Sequence, residues 1–66
     1  MDEVKVGSLV TLANKVWWVN DFKTTGYITD VILLPEENLD YENEILKLDG
    51  AIQVNLHRVK LYKAED

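Results

Sequence analysis

The 66-residue chain contains no cysteine and a single histidine, His57. The lack of thiols excludes a disulfide and a thiolate metal site, and one imidazole leaves few other metal designs. Ser8 is the only serine, and nothing around it resembles the sharp turn that presents a catalytic nucleophile. We therefore expect no metal, no cofactor and no enzymatic activity.

Long apolar runs are also absent. No segment approaches the roughly 18–20 apolar residues that cross a bilayer. The first five residues are mostly charged and lack the apolar region of a signal peptide. These features predict one domain over residues 1–66, located in the cytoplasm (the host cytoplasm for a phage-encoded chain) and without contact to a membrane.

No stretch of ten or more residues shows the apolar spacing of a helix. Proline occurs once, at Pro35, and glycine three times. Short runs of β-branched, aromatic and alternating apolar residues recur instead, as is typical of strands. The predicted strands are Leu9–Ala13, Val16–Val19, Gly26–Leu34, Asn43–Leu48, Ala51–Asn55 and Val59–Tyr62. This pattern predicts an all-β fold that curls to cover its own apolar face.

The segment Leu46–Val54 predicts a hairpin around Asp49-Gly50. A two-residue turn would place Leu46 and Leu48 on the opposite face from Ile52 and Val54. An odd loop over residues 48–50, with Gly50 in the left-handed conformation, restores one apolar face. We therefore predict a three-residue bulged loop in which Lys47 lies opposite Ala51.

Alternation fails within the Gly26–Leu34 strand, and this predicts a bulge near Thr29-Asp30 that turns both Ile28 and Val31 inward. The preceding residues 20–26 predict a turn-rich connection. In the first strand, Val10 and Leu12 are expected to face the core. Pro35 ends the long strand because it cannot donate a hydrogen bond to a ladder.

Three segments together resemble the SH3-like small barrels, in the broad sense that includes KOW and Tudor-type modules. They are Val6–Leu12, Gly26–Val31, and Leu48–Gly50 followed by Val54–Leu61. The resemblance implies a small five-stranded SH3-like barrel with a short 3-10 turn at Leu56–Arg58 before the last strand. Stand-alone proteins of this size and pattern are common among tailed bacteriophages. The peptide-binding signatures of signalling SH3 domains are missing, which argues against recognition of proline-rich peptides.

Trp17 and Trp18 are adjacent on a predicted strand, so they point to opposite faces. One packs inward, and the other is an interaction residue unless a loop covers it. Tyr27 and Tyr62 are candidates to join an aromatic patch beside the exposed tryptophan. All four are candidate binding residues.

The net charge of −5 is concentrated between residues 36 and 44, which hold five acids and no base. The bland interpretation is a solvated loop anchored by Leu39 and Tyr41. The functional one is an acidic patch that meets a basic partner. The candidate binding residues of this segment are Glu36, Glu37, Asp40 and Glu42.

Lys47, Arg58 and Lys60 predict a modest basic stripe. The acidic balance of the chain, with a pI near 4.6, opposes binding to phosphate backbones. The sequence therefore favours a non-enzymatic phage-type accessory protein that binds another protein, for example one of the host. The alternatives are a KOW-like nucleic-acid-binding module and an acidic mimic that inhibits a basic host protein. An open sheet edge allows a monomer or a weak homodimer.

Overall fold

The structure is a computed structural model, and it describes residues 3–63. The described chain is built from strands and two 3-10 turns, so the all-β prediction is confirmed. The strands are β1 (Leu9–Leu12), β2 (Lys15–Thr25), β3 (Ile28–Pro35), β4 (Leu39–Asp40), β5 (Ile45–Leu46), β6 (Ile52–Asn55) and β7 (Lys60–Leu61). The 3-10 turns are Glu36–Asn38 and Leu56–Arg58, and the second is where the sequence predicted it.

Five strands form one antiparallel sheet in the order β6-β3-β2-β1-β7, and β4 and β5 form a separate two-stranded hairpin. The first strand of the sheet therefore lies beside the last one, with Val10 opposite Leu61. Over residues 3–63 no strand pairing joins β6 to β7, so the five-stranded sheet is not closed into a barrel by hydrogen bonds. No helix in this range is long and apolar enough to cross a membrane.

The hairpin of β2 and β3 differs from the prediction in two ways. Residues 20–25 continue strand β2 rather than forming a connection, and the bulge lies on β2 between Val19 and Asp21. A two-residue loop at Gly26-Tyr27, with Gly26 at φ 62°, sets the register of Thr25 opposite Ile28. Ile28 lies at the hairpin tip and is 58% exposed, so β3 needs no bulge to turn it inward.

The predicted pairing within Leu46–Val54 is wrong, although Gly50 does adopt the expected positive φ of 77°. Strand β5 pairs with β4, and β6 pairs with β3 instead. The Asn38 side chain holds this arrangement, because its Nδ2 donates to the carbonyls of Lys47 and Asp49 at 3.0 and 2.5 Å. The backbone N–H of Lys47 in turn donates to the carbonyl of Asn38 at 3.0 Å.

The main core cluster lies on the inner face of the five-stranded sheet, and Leu34 is fully buried on the other face, where it pairs with Trp18. The cluster is formed by side chains with almost no solvent contact: Val10, Val19, Val31, Leu33 and Val59. Val10 is buried as predicted, and Leu12 packs against the cluster from its margin. The turn Leu56–Arg58 brings Val59 into the core, and the Asn55 Oδ1 caps it by accepting the His57 backbone N–H at 2.9 Å.

Candidate functional site

The β4–β5 hairpin carries three large apolar side chains that the protein does not bury. Tyr41, Ile45 and Leu48 are 65%, 53% and 66% exposed, respectively. Together they are called the hairpin patch below. Leu39 and Leu46 pair across the same hairpin and are partly buried. Tyr41 was expected to anchor this segment and instead points to solvent.

The hairpin patch lies among acids. Asp40 begins the turn, where its Oδ1 accepts the backbone N–H of Asn43 at 3.1 Å and its Oδ2 accepts the Asn43 side-chain amide at 2.8 Å. The side-chain hydrogen bond from Asn43 is the main cause that lowers the pKa of Asp40, and Lys47 adds a smaller attraction. Glu42 and Glu44 lie in the same exposed turn. The exposed apolar side chains of the hairpin patch therefore lie close to several negative charges.

The four acids predicted as binding residues belong to two neighbouring elements. Asp40 and Glu42 belong to the β4–β5 hairpin. Glu36 and Glu37 belong to the first 3-10 turn and line a depression with Lys15, Val16 and Pro35.

The two tryptophans lie on opposite faces of the sheet, as alternation predicts. Trp17 packs against the core, and its indole N–H donates to the Leu12 carbonyl at 3.1 Å. The Lys15 ammonium lies 5.0 Å from the centre of the Trp17 ring. Trp18 faces outward and is half-buried, and its ring lies beside Gly7, where a β-carbon would be 3.5 Å away.

Tyr62 and Trp18 share a row of side chains on the outer face. Leu9 pairs with Trp18 on one side, and on the other its carbonyl accepts the Tyr62 N–H at 2.9 Å. Side chains of paired residues project from the same face, so the two aromatic rings flank Leu9. Tyr27 does not join this row, because it lies at the β2–β3 tip and is fully exposed.

Ile45 and Leu48 were missed as surface residues by sequence reasoning. Leu48 was assigned to the same inner face as Leu46, which presumed that β5 pairs with β6. For Ile45 a signal was available, since it neighbours Leu46 and must point away from it.

No group of three or more His, Asp or Glu side chains within residues 3–63 is arranged to hold a metal ion. No protein-family model matches the chain, and no curated protein or solved structure is significantly similar to it. The function must therefore be argued from the surfaces just described.

Proposed function

We propose that the chain is a non-enzymatic SH3-like barrel of the stand-alone phage type, acting in the host cytoplasm as a protein-interaction module. The barrel assignment is supported by the pairing of the first strand of the sheet with the last, and by the 3-10 turn that leads into that last strand. One fold of this kind hosts many functions, so the binding role is argued from a surface and not from the fold.

The hairpin patch carries the proposal. Tyr41 and Ile45 of this hairpin and Leu48 just after it are large apolar side chains left in water, and exposed apolar groups of this kind are candidates for an interaction site. Tyr41 is of a residue type that is enriched at binding hot spots. The surrounding Asp40, Glu42 and Glu44 steer a basic partner surface towards the hairpin. The partner is therefore a protein with an apolar pocket bordered by Lys or Arg.

The test is capture of a partner from host lysate by the immobilised chain, with identification by mass spectrometry. A double variant, Tyr41→Ser with Leu48→Ser, should lose the captured protein because it removes the apolar anchors. Tyr27→Ser is the control, since Tyr27 is also an exposed tyrosine but lies at the tip of the β2–β3 hairpin. A partner that both baits retain would show that another surface binds it.

The acidic-mimic alternative is favoured by the charge of the same region. Reversal of Glu36, Glu37, Asp40 and Glu42 to Lys would abolish capture under that alternative, whereas the double apolar variant would leave capture intact. Under the proposed function, the double apolar variant abolishes capture even at salt concentrations that screen the charges.

A further inference from the structure

A shallow groove crosses the outer face of β7, β1 and β2 near the β1–β2 turn. Its lining is Thr11, Leu12, Ala13, Asn14, Lys15, Val16, Arg58, Lys60 and Tyr62. Three of the seven basic residues of the chain line this groove, and no Asp or Glu does. In a chain of net charge −5, such a local reversal of charge favours an anionic ligand.

Lys15 lies at the margin of this basic groove, with its side chain on the Trp17 face, and Lys47 does not line the groove. The sequence grouped Lys47 with Arg58 and Lys60, but Lys47 directly follows β5 in the separate hairpin. Lys60 and Val16 both pair with Thr11, so the three share the outer face. The groove therefore continues onto the row of Tyr62, Leu9 and Trp18.

We propose that this face binds a single-stranded nucleic acid, with phosphates at Arg58 and Lys60 and bases stacked on Tyr62 and Trp18. Tyr62 is 42% exposed and lines both the groove and the aromatic row. Neighbouring cations and aromatic faces are the combination that holds single strands without reading sequence. A duplex hides the faces of its bases, and an acidic peptide has none, so neither ligand would use the aromatic row.

The acids of the first 3-10 turn limit the site on one side. Glu36 and Glu37 line the adjoining depression that shares Lys15 and Val16 with the groove. They repel phosphates there, so the strand is directed across β1 towards β7. Two phosphate contacts give a log–log salt dependence with a slope of about −1.4. The Kd at low salt is expected to be on the order of 10–100 µM.

Fluorescence anisotropy with fluorescein-labelled dT12 and rU12, from 20 to 200 mM NaCl, tests the proposal. Lys60→Gln and Arg58→Gln should each weaken binding and reduce the salt slope by about 0.7. Tyr62→Ala should weaken binding about tenfold, and Tyr62→Phe should restore it, because the ring and not the hydroxyl stacks. In the Trp17→Phe variant, quenching of tryptophan fluorescence on binding reports contact at Trp18.

Lys47→Gln is the control, since it removes the same charge outside the groove and should leave binding unchanged. Circular dichroism establishes that each variant is folded. The proposal is overturned by the absence of saturable binding at 20 mM NaCl or by equal weakening from Lys47→Gln and Lys60→Gln. Tighter binding of a duplex of the same length would overturn it too. So would equal competition by an oligoglutamate peptide, which would assign the groove to acidic peptides.

Discussion

Ala13 adopts a φ of 53°, in the left-handed region that a β-carbon disfavours by about 1 kcal/mol. Asn14 follows at φ 62°, and together they form the tight turn between β1 and β2. Ala13→Asn is expected to raise the free energy of unfolding by about 0.5–1 kcal/mol, since asparagine tolerates this region. Urea denaturation measures the change. The control Ala51→Asn, at an exposed residue without positive φ, should leave the midpoint in place.

Leu33 and Leu48 have the same side chain in opposite surroundings, one fully buried and one 66% exposed. Leu33→Ala is expected to cost about 2–5 kcal/mol because it leaves a cavity in the core. Leu48→Ala should change stability by less than about 0.5 kcal/mol. Thermal and urea unfolding of both variants checks this. A large loss from Leu48→Ala would mean that the hairpin patch packs against the body and is not free to bind.

At the scale of elements, the β4–β5 hairpin is fastened by Asn38. The Asn38 side chain accounts for two hydrogen bonds that join the first 3-10 turn to the segment after β5. Asn38→Ala is expected to destabilise the hairpin locally by about 1–2 kcal/mol while the five-stranded sheet persists. Amide hydrogen exchange should show faster exchange at Lys47 and unchanged exchange at Val31. Faster exchange at both would mean that the hairpin and the sheet unfold together.

The turn of the same hairpin depends on pH through Asp40. Its hydrogen bonds with Asn43 hold the pKa of Asp40 below the ordinary aspartate value. The stabilisation is therefore fully present above the unfolded-state pKa and is lost as the pH falls through the lower folded-state pKa. The amide resonance of Asn43 should keep its position down to about pH 4 and move below it. Asp40→Asn should remove this step, and an unchanged titration of Asn43 in that variant would contradict the assignment.

The individual strands and turns were predicted more accurately than the pairing between strands. The turn at Leu56–Arg58 and the positive φ of Gly50 depend on neighbouring residues in the chain, so both could be predicted from the sequence. Strand pairing does not follow from local chemistry. The alternation of side chains tells which face of a strand is apolar, but it does not tell which other strand lies beside it. Ile52 and Leu33 were both recognisable as strand residues, but their pairing depends on the whole sheet. The bulge was predicted on β3 because Ile28 was expected to face the core together with Val31. The structure instead leaves Ile28 exposed at the tip of the β2–β3 hairpin.

At the scale of the molecule, the candidate surfaces also differ in whether they depend on one segment or on strand pairing. The acidity of the hairpin turn was readable from composition, since Asp40, Glu42 and Glu44 are close in sequence. The basic groove could be predicted only in part, because Lys60 is brought beside Thr11 and the β1–β2 turn by the pairing of β1 with β7. Surfaces made by one segment could be predicted, and surfaces made by several required the fold.

The pairing of β1 with β7 also has a kinetic consequence. The Thr11 hydroxyl donates to the Lys60 carbonyl across a separation of 49 residues in a 66-residue chain. A contact so distant in sequence forms late and slows folding. Removal of residues 60–66 is expected to leave the chain largely unfolded by circular dichroism, because β1 then loses its outer neighbour. A folded truncation product would contradict this. The five-stranded sheet can therefore assemble only after Lys60 and Leu61 have been synthesised, and a product that stops before β7 would lack the basic groove.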